Sequence, residues 1–161
     1  MGVEIERKFL VKNDSWRDHV ESEMHLVQGY LADGAGAGAG AGATVRVRVA
    51  VDAAFLTIKG TTPGIRRSEY EYPIPLADAQ AMLRELVMHS VIDKTRYRVR
   101  SGGRLWELDL FAGENAGLVM AELELGSEHE TFELPPWVGR DVSEDPRYYN
   151  ANLARNPYKR W

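Results

Sequence analysis

The chain has 161 residues, 44% hydrophobic and 27% charged, with a net charge of −4. That length suits one globular domain with its own core, and the negative balance argues against indiscriminate nucleic-acid binding. The absence of cysteine excludes disulfides, thiolate nucleophiles and Cys-ligated metal centres, and no apolar run reaches membrane-spanning length, so a cytoplasmic protein with neither membrane nor nucleic-acid partners is expected.

Period-two alternation, the pattern of a half-buried strand, starts at once in Val3-Glu4-Ile5-Glu6-Arg7-Lys8-Phe9-Leu10. It predicts strands over 3–12, 25–31, 44–51, 54–59, 67–74, 91–100, 104–111 and 118–126. Short connections at Asp52-Ala53, Gly60 to Gly64 and Gly102-Gly103 suit antiparallel hairpins. Three stretches read as helix. Asp14 to Met24 carries Trp16, Val20 and Met24 on one face. Leu76 to Val87 follows Pro75 and stripes Leu76, Ala79, Leu83, Leu86 and Val87. Residues 145–154 begin with Asp145 as N-cap and Pro146 at N1, and Asn156-Pro157 ends that helix. The Gly-Ala alternation of 34–43 is too permissive in backbone and too poor in side chain for a firm element, and reads as a flexible hairpin tip. No repeat or second domain interrupts 1–161.

Successive side chains of a strand point to opposite faces. Sorting by parity sets Glu4, Glu6 and Lys8 against Val3, Ile5, Phe9 and Val11, with Arg7 the exception on the apolar side. The same division places Arg46 and Arg48 against four valines, and Thr57 and Lys59 against Leu56 and Ile58. Arg67, Glu69 and Glu71 oppose Tyr70, Tyr72 and Ile74. Lys94, Arg96, Arg98 and Arg100 form one row, Glu107 and Asp109 another, and Glu122 and Glu124 a third, while the second strand is milder, with Gln28 and Tyr30. An antiparallel sheet solvated on one face accounts for any single strand. The set is different, because the charges are segregated by strand rather than mixed as on an idle surface.

Eight such strands can close into a barrel. With the apolar side outward beneath helices, the architecture is α+β: an eight-stranded antiparallel tunnel with a charged interior. So many enclosed charges are costly without a matching guest. Lys8, Arg46, Arg48, Lys59, Lys94 and Arg96 suit phosphates held in a row. The carboxylates would repel phosphate unless divalent cations lay between. Glu4, Glu6, Glu122 and Glu124 are natural ligands for a hard ion, Mg²⁺ or Mn²⁺.

The chain resembles the CYTH superfamily, the triphosphate tunnel metalloenzymes. The resemblance rests on Glu4-Ile5-Glu6-Arg7-Lys8, Thr44-Val45-Arg46-Val47-Arg48, Thr57-Ile58-Lys59-Gly60 and Arg67-Ser68-Glu69-Tyr70-Glu71, followed by Lys94-Thr95-Arg96-Tyr97, Glu107-Leu108-Asp109 and Ala121-Glu122-Leu123-Glu124. These arrive in the family's order, and the tail from Asp145-Pro146-Arg147-Tyr148-Tyr149-Asn150 looks like the compact bacterial branch. The resemblance implies hydrolysis of inorganic tripolyphosphate, with thiamine triphosphatase or class IV-type adenylate cyclase as alternatives on the same scaffold. A non-catalytic polyphosphate-binding module is the alternative of another class. It implies that Glu4, Glu6 and Glu124 bind metal with Glu122 close by, and that the six cations named above hold the triphosphate. Lys94 would also assist at the scissile group. Glu69, Glu71 and Asp109 would organise the cations, bind a second metal or orient water, and Tyr30 would lie near a mouth. The C-terminal helix would plug one end of the tunnel, in a monomer or a homodimer. The four histidines show no ligand spacing, and Tyr148 and Tyr149 read as packing residues of the last helix.

Overall fold

The computed structural model describes residues 2–34, 42–61 and 63–161, so most of the Gly-Ala run lies outside the described residues. Nine strands are formed among them: β1 (Gly2–Val11), β2 (Val20–Asp33), β3 (Ala43–Ala50), β4 (Ala53–Gly60), β5 (Arg66–Ile74), β6 (Ile92–Ser101), β7 (Arg104–Phe111), β8 (Val119–Glu124) and β9 (Val138–Asp141). The helices are α1 (Leu76–Glu85) and α2 (Asn150–Arg155). Neighbouring strands follow the order β5-β4-β3-β2-β6-β7-β8-β1, and β5 pairs with β1 to close an antiparallel eight-stranded barrel. Gly2 to Ile5 of β1 use β5, while Phe9 and Val11 use β9. No helix among the described residues is long and apolar enough to cross a membrane.

Alternation explains both faces of the wall. Outward residues of β6, β7, β8 and β1, including Val99, Trp106, Leu108, Leu123 and Phe9, form one core with Trp16, Trp137 and Val138. Each such side chain contributes about 1.5–3 kcal/mol when removed from water. Over β3 and β4 the cover is α1, whose Ala79, Met82 and Leu83 pack with Val47 and Ala54. Gly29 marks the closest approach, because a Cβ there would lie 2.3 Å from Val87 Cγ1.

The expected helix at Asp14 to Met24 does not form. Ser15–His19 is a single 3₁₀ turn that buries Trp16 against Tyr97, and β2 begins at Val20. Val20 and Met24 are exposed, so the helical stripe would have buried nothing beyond Trp16, whereas the extended chain pairs with β6 from Val99 to Ile92. α1 stops two residues early, leaving Leu86 exposed. The predicted final helix breaks into a 3₁₀ turn at Pro146–Tyr148 followed by α2. β9 has no predicted counterpart. It supplies Asp141 to Arg7, whose guanidinium also lies over Phe9 and Phe132 on the outside of the barrel, which explains the one charge on the apolar side of β1.

Inside the barrel the parity rows change character at one end. Along β6, β7, β8 and β1 the inward charges give way to Ile92, Phe111, Met120 and Leu10, respectively. These residues cluster with Ala151, Leu153 and Ala154 of α2. The third apolar helix face is therefore satisfied within the barrel's end, not on its outer surface.

Candidate functional site

The inward rows line one cavity of about 860 Å³. Barrel order divides its wall into two arcs. The basic arc runs over β4, β3, β2 and β6, with Lys59, Arg46, Arg48, Lys94, Arg96 and Arg98. The acidic arc runs over β7, β8, β1 and β5, with Glu107, Glu122, Glu124, Glu4, Glu6 and Glu69. Lys8, Arg67 and Glu71 also line it. Asp109 lies fully buried behind the surface, bonded to the cations in front. Arg100, the last of the β6 row, is outside the cavity and pairs with Glu21.

Ion pairing is uneven around the wall. Arg96 grips Asp109 with two bonds of 2.7 and 2.8 Å and reaches Glu107 and Glu122, each at 3.3 Å. Burial opposes its charge, but Asp109, Glu122 and Glu107 prevail and raise its pKa. Lys94 Nζ donates to Asp109 at 2.7 Å and to Asn150 at 3.0 Å. Burial nevertheless pushes Lys94 down to about 7 against the pull of Asp109. Lys59 donates to Glu4 at 2.8 Å, and Lys8 stands 3.8 Å from Glu122.

Arg46 and Arg48 differ from these. Arg46 donates to Thr57 Oγ1 at 3.1 Å, and its buried Nε has no partner. Arg48 donates to Gln28 Oε1 at 2.8 Å. Neither has a carboxylate at ion-pair distance among the described residues. Burial, with Arg46 and Arg96 adding repulsion, pushes Arg48 down to about 10, so it stays cationic at neutral pH. An enclosed cation without a counter-charge is unfavourable until an anion arrives.

The acidic arc shows the opposite deficit. Register sets Glu6 opposite Glu124 and Glu107 opposite Glu122, and like charges across a strand pair repel. Burial, then Glu122 and Glu4, raise Glu6 to about 8. Burial and its hydrogen bond with Glu69 raise Glu4 as well. Glu122 moves the other way: burial would raise it, yet Lys8, Arg96 and Lys94 hold it well below the usual carboxylate range. Among the described residues no three carboxylate or imidazole side chains converge as a finished metal cage. The donor set still fits a hard divalent ion, because it is all oxygen and its crowding is relieved by added positive charge.

Several lining residues had no motif to announce them. Tyr149, read as a packing residue, faces the cavity with its ring between Lys8 at 5.6 Å and Arg67 at 5.3 Å. Tyr148 is buried as expected. Ser143 accepts the Lys8 backbone N–H at 2.8 Å, and Asn150 meets Lys94. Gln28 does not line the cavity but is fully buried behind it, against Arg48. Its parity with the charged rows was the available signal, while Ser143, Tyr149 and Asn150 sit in irregular chain where parity says nothing.

Comparison with known proteins agrees with this geometry. Residues 2–158 match the profile of the CYTH domain. An inorganic triphosphatase of Acetivibrio thermocellus is 45% identical over 159 residues, 99% of this chain and 97% of that protein. An inorganic triphosphatase of Nitrosomonas europaea is 37% identical, covering 94% of this chain and 97% of the other. A crystal structure of an inorganic triphosphatase superposes with a TM-score of 0.66 at 36% identity, over 94% of this chain and 93% of that one.

Proposed function

The chain belongs to the CYTH domain family, and from that premise we propose that it is a cytoplasmic, metal-dependent triphosphatase whose preferred substrate is inorganic tripolyphosphate. The observation that carries the substrate class is the pair of enclosed arginines, Arg46 and Arg48, which have no carboxylate at ion-pair distance among the described residues. Their forks match phosphate oxygens, and Lys8, Lys59, Lys94 and Arg96 continue the basic lining for a short row of phosphates.

Glu4, Glu6, Glu122 and Glu124 are the residues that would hold Mg²⁺ or Mn²⁺, which would supply a water of lowered pKa and neutralise phosphate oxygens. Lys94 faces the cavity and, when protonated, has its ammonium anchored on Asp109 and Asn150, which leaves one hydrogen for a phosphate oxygen at the departing group. Asp109, charged because Arg96 and Lys94 outweigh its burial, fixes the direction of both cations. Glu69 and Glu71 face the basic arc from β5 and orient Lys59 and its neighbours. α2 and the apolar residues around it stopper one end, which suits a short linear substrate. A simple polyphosphate-binding module is disfavoured, because an anion binder gains nothing from lining its cavity with acids.

The test is phosphate release from tripolyphosphate, ATP, thiamine triphosphate and pyrophosphate, with Mg²⁺ and with Mn²⁺, alongside a cyclic AMP assay. Tripolyphosphate should be cleaved fastest and only with metal. Cyclic AMP formation, or preference for an organic triphosphate, would overturn the substrate assignment.

A further inference from the structure

Between Arg48 and Lys94 runs a chain of two amides. Arg48 Nε donates to Gln28 Oε1 at 2.8 Å, Gln28 Nε2 donates to Asn150 Oδ1 at 3.3 Å, and the same oxygen accepts from Lys94 Nζ at 3.0 Å. Its polarity is dictated from both ends. An arginine only donates, and Lys94 Nζ donates to both Asp109 and Asn150, so an oxygen faces each of them. The Gln28 nitrogen then remains to bridge to Asn150, and it also donates to the Tyr30 hydroxyl at 3.3 Å. Flipping either amide would set a nitrogen against a cation. Gln28 is fully buried, so solvent does not repair a deleted or inverted amide.

Barrel order gives the chain its purpose. Arg48 lies on β3 and Lys94 on β6, and β2, which carries Gln28, separates them. Two like charges on flanking strands repel, and among the described residues no carboxylate lies at ion-pair distance from both: Asp109 bonds Lys94 and Arg96, and reaches Arg48 only as a more distant attraction. The amide chain is the link that keeps both in one arrangement, and half of it comes from the C-terminal segment.

We propose that Gln28 and Asn150 are positioning residues that hold Arg48 and Lys94 as one phosphate-gripping unit, so that the segment carrying Asn150 sets the alignment of Lys94 for turnover. The proposal rests on the triphosphatase reading. Because both amides lead to Lys94, removing either lowers kcat, unlike a general loosening of the cavity, while the direct bond from Arg48 to Gln28 adds an effect on KM for Gln28 alone. Because the two amides act through each other, their removal is not additive.

The experiment is a double-mutant cycle on the full chain, with Gln28→Met and Asn150→Ala, reading kcat and KM for tripolyphosphate and the thermal midpoint of each variant. Each single change should lower kcat roughly ten- to hundredfold, the range for losing a hydrogen bond to a charged group. The double variant should fall no further than the worse single. Losses that multiply, or a rise in KM with unchanged kcat, would overturn the relay. A Gln28→Met chain that fails to fold is replaced by Gln28→Asn, which keeps a neutral amide but withdraws it by one methylene from Arg48 and Asn150; it should cost kcat in the otherwise unchanged chain and lower kcat no further in the Asn150→Ala background. If the wild-type protein releases no phosphate from tripolyphosphate with either metal, the triphosphatase reading has failed, not the relay alone.

Discussion

Arg96 and Arg48 stand on β6 and β3, with only β2 between them, yet their surroundings are opposite. Arg96 has three carboxylates within bonding distance, while Arg48 has one neutral amide. The acidic arc repeats the contrast in reverse: Glu122 is surrounded by cations and stays ionised, while Glu6 faces other carboxylates and holds its proton to about 8. On β6 and β7, one of the two places where the arcs meet, charge is already neutralised around Arg96. At the other, on β4 and β5, Lys59 bonds Glu4, whereas Arg46, Arg48 and Glu6 have no opposite charge at ion-pair distance among the described residues. The Arg96 seam is scaffold, and the unneutralised residues are where a ligand adds most: an anion against Arg46 and Arg48, a cation at Glu6 beside Glu4 and Glu124.

The largest effect follows from the acidic stretch. Glu4→Gln or Glu6→Gln should reduce phosphate release on the order of a thousandfold or more, the scale of lost metal activation, while tripolyphosphate still binds by calorimetry. Ordinary turnover in either variant would remove them from the metal site. Next comes the basic stretch. Arg48→Ala should weaken tripolyphosphate binding roughly ten- to hundredfold, and an unaltered affinity would place Arg48 outside the substrate.

A third prediction uses pH on the metal-free protein. A Glu6 raised from its ordinary 4.5 to about 8 binds a proton more readily folded than unfolded. Its contribution is therefore full below 4.5 and is lost as pH rises through 8. Glu6→Gln should leave the melting temperature near wild type at pH 5 and raise it at pH 8, as followed by circular dichroism. A lower melting temperature at pH 8 would show that the carboxylate is stabilised, not strained. The smallest effect is at Arg100, the same row's exposed member, where Arg100→Ala should alter neither melting temperature nor kcat, because an exposed pair with Glu21 is worth little.

Most of the barrel was legible because burial on the outer face and ligand chemistry on the inner face impose the same period of two. Every candidate site residue from Glu4 to Glu124 lines the cavity, apart from Asp109 just behind it. Legibility failed where pairing, not pattern, decides. Val20 and Met24 carry a helical spacing, but β6 offered a partner for extended chain, and β9 is too short for any period to show. Ser143, Tyr149 and Asn150 are placed by long-range packing of the tail, with no local spacing to give them away.

Anomalous diffraction at the manganese edge, from crystals containing Mn²⁺ and a non-hydrolysable imido analogue of tripolyphosphate, addresses the two arcs together. The predicted result is a manganese peak among Glu4, Glu6, Glu122 and Glu124, with phosphates against Arg46 and Arg48. Manganese outside the cavity, or phosphates gripped only at the Arg96 seam while Arg46 and Arg48 stay unengaged, would contradict the account.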